Sequence, residues 1–273
     1  MIKSVPSIIK DYLNPHHLEK FYTLLANRID VPSYSHTLNL GDHLLYFNPI
    51  KNELNADGYF DYQTPSALLG DPDLQFRRRL WVQGEINAYR ELNLGQEYTC
   101  QERVRFVKRI RSDYFVCIER NVSDHRGIVT TTELRTLIYT NSLAEENPPA
   151  TATSIEGLPI GAFTFKEMDI IRYGNLSLNP HRIHWDKTYC KEKEGYENII
   201  VQGPFLVQVL VKIAHGFLRK PFKKLKYKNT NHIYPNTEVQ VCLLEPCGDT
   251  NTHQLKMSDK KSGKVFLEAN LTT

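Results

Sequence analysis

Residues 203–218 read GPFLVQVLVKIAHGFL. Almost every position is apolar, so a helix formed here has no face to leave in water and must be enclosed by other structure. Pro204 suits the first turn, where its missing N–H costs nothing and its φ is already helical. The stretch is too short to cross a bilayer, which takes about 20 apolar residues. It therefore reads as a helix at the centre of a folded unit.

The residues that follow supply the enclosure. Runs at 238–244, 252–257 and 264–270 alternate apolar and polar positions, separated by Pro-Cys-Gly-Asp and Ser-Asp-Lys-Lys-Ser-Gly turns. That is the pattern of an antiparallel meander. The first half of the chain repeats it at 98–110, 114–121 and 128–139, with Arg-Ser-Asp and Ser-Asp-His-Arg-Gly turns between the runs. Helical periodicity precedes this copy at 15–27 and, more briefly, at 42–47, and an irregular stretch covers 48–79. A meander wrapped around one buried helix is a hot-dog unit, and two copies make an α+β double hot dog with one continuous pseudo-dimeric sheet. The polar, proline-bearing segment NSLAEENPPATATSIEG at 141–157 divides the copies. The expected division is 1–145, a linker at 146–157, and 158–273.

Composition narrows the function. Thirty-four Lys+Arg against 31 Asp+Glu leave a net charge of +3, too little for a protein built to coat nucleic acid. With 41% hydrophobic and 24% charged residues the chain can bury a core, which excludes a disordered chain. No apolar run approaches the length of a membrane span. Five cysteines without a CxxC pair argue against a disulfide framework or zinc ribbon and for a reducing compartment. Sequons at Asn121, Asn175 and Asn270 follow no signal peptide and read as chance matches. The start, MIKSVPSIIK, carries Lys3 and Lys10 before the first acid, Asp11, which is permissive for a short mitochondrial presequence.

The densest polar cluster is NPHRIHWD at 179–186. His181, His184 and Asp186 are metal-ligand types, but HxxH needs a helix to put both rings on one face and no helical period is visible. A surface loop with an Arg182–Asp186 pair is a second reading, and a Cys190–His nucleophile a third, without a local signature. The fourth is acid–base work on an acyl thioester. A neutral imidazole can take a proton at physiological pH, but a thioester α-proton yields only if charge on the thioester oxygen is stabilised at the same time. The backbone N–H of Gly203, at the positive end of the buried helix, is a candidate for that task.

The stretch LSLNPHRIHWDKTYCKEKEGYENIIVQGPFLVQVL resembles the hydratase segment of MaoC-like hot-dog dehydratases, and most closely the fungal mitochondrial 3-hydroxyacyl-thioester dehydratase type 2 family. Asn179, His181, Arg182, Ile183, His184, Asp186, Tyr189, Glu194, Gly195, Tyr196, Gly203 and Pro204 match that family's pattern, and Arg78-Arg79-Leu80-Trp81-Val82-Gln83-Gly84 is similar to its R-R-x-W-x-x-G. The resemblance implies dehydration of (3R)-hydroxyacyl thioesters, carried by acyl carrier protein or CoA, to trans-2-enoyl thioesters in mitochondrial fatty acid synthesis. It implies His184 as catalytic histidine, Gly203 as the holder of the thioester carbonyl and Asn179 as a positioner. Pro204, Gln202, Arg182 and Asp186 are the expected substrate contacts. Asn179 stands where the broader (R)-hydratase family has Asp, and an amide cannot shuttle a proton. Gln202 replaces a common His, and Trp185 a Tyr.

No cofactor, metal, nucleic-acid partner or membrane span is expected, and the repeat is compatible with a monomeric pseudo-dimer or a homodimer. From 199 through 237 the chain has no acid, and Arg219, Lys220, Lys223 and Lys224 lie in that stretch as candidates for docking an acidic carrier or its phosphate. Arg77, Arg78 and Arg79 could anchor phosphate or support the packing between halves. The 41–47 stretch, a degraded helix start without a partner for His184, suggests one active site, with the first half supplying room for the acyl chain. Two rivals remain: a hot-dog thioesterase, which would release free thiol, and a non-catalytic acyl-carrier-binding subunit, which would show neither activity.

Overall fold

The alternating runs become strands of a single antiparallel sheet. The computed structural model describes residues 6–30, 36–51, 53–144, 156–244 and 251–273. The strands are β1 (Ser7–Tyr12), β2 (Arg78–Ala88), β3 (Glu97–Ile110), β4 (Asp113–Ser123), β5 (Val129–Thr140), β6 (Leu158–Thr164), β7 (Lys224–Asn229), β8 (Glu238–Leu243), β9 (Thr252–Asp259) and β10 (Val265–Thr272). They lie in the order β1-β3-β4-β5-β2-β7-β10-β9-β8-β6. Five strands from the first half are thus followed by five from the second, in mirrored arrangement, as a double hot dog requires. The segment read as a linker falls largely at 145–155, outside the described residues.

The helices are α1 (Pro15–Leu25), α2 (Pro65–Leu69), α3 (Glu167–Leu176), α4 (Lys187–Tyr189) and α5 (Gly203–Leu218). Every residue of α5 from Pro204 to Ala214 is buried, which is the enclosure its composition demands. The chain enters the sheet at Ser7, where β1 pairs with β3 from Ser7↔Glu102 to Tyr12↔Glu97.

β2 and β7 form the seam between the halves. Gly84 of β2 faces Tyr227 of β7, and a Cβ on Gly84 would lie 2.4 Å from the Tyr227 hydroxyl. Trp81 Nε1 donates to that same hydroxyl at 2.7 Å. The Trp and Gly of the R-R-x-W-x-x-G run therefore hold one tyrosine between them, and only glycine leaves it room.

Where the second half has α5, the first has a 3₁₀ turn at Asp42–Leu45. Its Asp42 is fully buried and takes Lys212 Nζ, itself 1% exposed, at 2.7 and 2.8 Å, together with the Tyr22 hydroxyl at 3.0 Å. This ion pair ties α5 to the first half. Beyond it lies a buried charged network. Glu133 meets Arg135 at 2.6 Å, Arg120 at 3.2 Å and His43 at 3.4 Å, and Arg120 also meets Glu102 at 3.3 Å. Burial would raise the Glu133 carboxyl, but Arg135, His43 and Arg120 hold it well below the usual carboxylate range. A small pocket lined by Glu102, Arg120 and Arg135 of this network reaches Trp81, Asn179 and Pro204. A larger cavity lies at the seam, with Leu80, Trp81, Leu137 and Thr140 among its first-half lining residues.

Candidate active site

The 179–186 segment is a tight loop after α3, held at each step by its own side chains. Asn179 Oδ1 accepts the His181 backbone N–H at 3.1 Å, and a 3₁₀ turn follows at Arg182–His184. Asp186 caps α4 by accepting the Tyr189 N–H at 2.9 Å, and its other oxygen takes Arg182 Nη2 at 2.6 Å. Arg182 also donates to the Ala56 carbonyl at 3.2 Å, fastening the loop to the first half. The result is a rigid mount for two buried imidazoles, His181 and His184, whose ring centres are 5.6 Å apart.

His184 Nδ1 lies 2.8 Å from the Ile200 carbonyl oxygen. A carbonyl can only accept, so Nδ1 carries the hydrogen and the neutral ring keeps its lone pair on Nε2. Burial first, then the neighbouring His181, push the His184 pKa down to about 3, and the Ile200 contact offsets only part of this. The ring is therefore neutral at physiological pH, in one tautomer set by the backbone.

Three residues beyond Ile200, Gly203 opens α5. As the first helical residue its N–H has no acceptor within the helix, and the positive end of the dipole lies there. A Cβ on Gly203 would come 3.0 Å from Asn229 Nδ2 and 3.4 Å from Trp81 Cβ, so a side chain here would crowd residues of β7 and β2. His184, Gly203, Pro204 and Asn179 line one cavity of about 660 Å³ at the seam, with Trp81 and Leu137 from the first half and Asn229 from β7 on its other wall. Its size is within the range of small-molecule sites.

A sequence profile of the family described as hydroxyacyl-thioester dehydratase type 2 matches residues 41–235. The chain is 43% identical to the mitochondrial hydroxyacyl-thioester dehydratase type 2 of Saccharomyces cerevisiae over 99% of both chains. It belongs to that family. The mitochondrial hydroxyacyl-thioester dehydratase type 2 of Schizosaccharomyces pombe is 26% identical, covering 89% of this chain and 91% of its own. The fold is shared with a MaoC-like dehydratase from Phytophthora capsici, at a TM-score of 0.74 and 14% identity over 99% of this chain and 95% of that one. As a hydroxyacyl-thioester dehydratase type 2 the protein is a hydro-lyase acting on hydroxyacyl thioesters, and it shares the mitochondrial location in its two yeast relatives' names.

Among this dehydratase's expected substrate contacts the structure separates two groups. Pro204 lines the cavity; Gln202, Arg182 and Asp186 do not. Gln202 is fully buried and its amide donates to the Ile170 carbonyl at 2.8 Å, so it anchors α3 to the start of α5. Arg182 and Asp186 are engaged with each other and shape the loop. Their places in the motif reflect the geometry of the mount. The basic residues are also displaced from the site. Arg219 and Lys220 follow the far end of α5, about 24 Å from Gly203 for a helix of 16 residues. Arg219 is paired with Asp30, and Lys224 with Glu85 at 2.7 Å. The cations that do line the cavity are Arg78, Arg79 and Lys264. Among the described residues no group of three or more His, Cys, Asp or Glu side chains could hold a metal ion.

Two depressed histidines give a stability signature. His232, also on the cavity, is pushed down to about 4 by burial and by Lys264 and Arg78. Between the ordinary value of 6.5 and these lowered ones, each ring is neutral when folded and protonated when unfolded. The unfolded chain then binds the extra protons, so stability falls as pH is lowered, by about 1.4 kcal/mol per pH unit for each fully differential ring. Urea melts at pH 7 and pH 5 are expected to show this dependence, and His184→Gln to remove one ring's share; an identical slope in the variant contradicts the assignment.

Proposed function

We propose that the protein converts (3R)-hydroxyacyl thioesters of acyl carrier protein or CoA into trans-2-enoyl thioesters for mitochondrial fatty acid synthesis. The observation that carries this reading is the fixed His184 tautomer, with its Nε2 lone pair, on the same cavity as the Gly203 N–H. The thioester carbonyl accepts the Gly203 N–H, where the helix dipole stabilises the oxygen's developing charge. That stabilisation is what makes the α-proton removable. His184 Nε2 takes the proton, and the ring that results is costly to keep charged in a buried site, so it returns its proton readily. Asn179, whose Oδ1 is committed to the His181 backbone, has its side-chain NH₂ left as a donor to hold the 3-hydroxyl oxygen. The phosphate of a pantetheine carrier fits Arg78 and Lys264 at the cavity better than the remote Arg219, Lys220, Lys223 and Lys224.

The reading predicts growth of enoyl-thioester absorbance from (3R)-3-hydroxybutyryl-CoA and none from the (3S) isomer, without release of thiol. Turnover of the (3S) isomer, or free thiol from a saturated thioester, contradicts it. Asn179→Ala removes one positioning hydrogen bond, and kcat/KM is expected to fall roughly tenfold. An unchanged rate in that variant removes Asn179 from the site.

A further inference from the structure

Loss of water from a 3-hydroxyacyl thioester requires two proton transfers, one from the α-carbon and one to the leaving hydroxyl. On the reading above, His184 performs the first. At rest it cannot perform the second, because its only N–H is committed to the Ile200 carbonyl. Asn179 has no proton to transfer. Yet the site contains a second imidazole that the mechanism has not used. His181 is 5% exposed, lines the same cavity, and meets the His184 ring edge-on with centres 5.6 Å apart.

The surroundings of the two rings are opposite in kind. His184 faces a backbone carbonyl, whereas His181 Nε2 lies 3.7 Å from Asp57 Oδ2 and 3.7 Å from Glu194 Oε1. Asp57 is shared with Arg79 at 3.1 Å, but Glu194 is fully buried on the turn Cys190–Glu194, against Tyr189 and Cys190. A carboxylate with no exposure is costly unless a neighbouring group compensates it, and the His181 ring is placed beside it at 3.7 Å. Two imidazoles in one site, one facing a backbone carbonyl and one facing two carboxylates, have surroundings different enough to divide base from acid.

We propose that His181 is the second acid–base residue of the reaction, donating the proton that the leaving 3-hydroxyl requires, with Glu194 and Asp57 as positioning residues beside its ring. The α-proton moves to His184 Nε2 and the C–H electron pair becomes the new double bond. The Cβ–O bond breaks, its electrons go to oxygen, and the oxygen takes the His181 proton to leave as water. Transfer of the proton from His184 back to His181 through water in the cavity completes the cycle. In this chain His181 thus does what an amide at 179 cannot.

A change of leaving group tests this. Chloride departs without a proton, so 3-chlorobutyryl-CoA needs the base and not the acid. His181→Gln is expected to lower elimination from (3R)-3-hydroxybutyryl-CoA about a hundredfold while leaving elimination of chloride within a few-fold of wild type. His184→Gln lowers both, and Glu194→Gln shows the His181 split at smaller amplitude. Equal losses on the two substrates in His181→Gln, or no loss on the hydroxy substrate, overturn the proposal. Because chloride elimination is measured on the same variant, a misfolded protein is not mistaken for a missing acid. A wild-type protein inactive on the hydroxy substrate would instead refute the dehydratase reading on which this inference rests.

Discussion

His184→Gln is expected to lower kcat/KM for hydration of crotonyl-CoA by about a thousandfold, within the range that a positioned general base contributes. The loss is expected in kcat more than in KM, because the ring acts on a proton that moves only in the transition state. The glutamine amide can still donate to the Ile200 carbonyl, so the loop and the cavity wall persist. Circular dichroism and melting temperature at neutral pH check that they do. A loss smaller than tenfold with the fold intact assigns the α-proton to another group.

Lys212→Ala has the largest expected effect on stability, a loss of about 3–5 kcal/mol in urea unfolding. The substitution leaves Asp42, fully buried, without the ammonium that contacts both its oxygens. The Tyr22 hydroxyl and the Asn39 N–H remain on Asp42 but carry no full charge. Burial lowers the Lys212 pKa, and Asp42 offsets part of that shift. Adding Asp42→Asn to Lys212→Ala removes the orphaned charge and is expected to restore part of the loss. A loss below about 1 kcal/mol in the single variant shows that the pair does not tie α5 to the first half.

What could be read in the sequence, and what could not, follows from how local each signal is. The helix 203–218 declares itself because burial on all sides leaves no polar stripe, and the meanders of β3–β5 and β8–β10 declare themselves by alternation and turns. β7 escapes notice although it alternates perfectly. Leu225 and Tyr227 point inward and Lys226 and Lys228 outward, but within an acid-free stretch the lysines suggest a docking loop. β2 escapes because Arg78 and Arg79 at its start suggest a phosphate anchor or support for the packing between the halves rather than a strand. In the structure Arg79 is buried against Asp57 and the Phe60 carbonyl, and Arg78 donates to the Tyr196 hydroxyl.

The site divides in the same way. His184, Asn179 and Gly203 are placed together by a motif whose chemistry is local. The surroundings of His181 are not local: Asp57 comes from the first half, and Glu194 lies beyond α4, so no spacing rule connects the three. Arg182 and Asp186 are drawn into the expected substrate contacts by their position in the motif, but an i, i+4 ion pair that shapes a loop leaves the same trace in sequence as one that binds a ligand. The charged network of the first half is not local either: Glu102, Arg120, Glu133 and Arg135 are scattered over three strands, and no spacing rule joins them.

The central claim is that a neutral His184 and the start of α5 together perform reversible hydration rather than hydrolysis. The most direct measurement follows crotonyl-CoA with two signals at once, enoyl-thioester absorbance and free thiol, for the wild type and His184→Gln. The account predicts rapid loss of absorbance without thiol in the wild type, and almost none in the variant. Thiol release accompanying the loss, or equal rates in the two proteins, would contradict it.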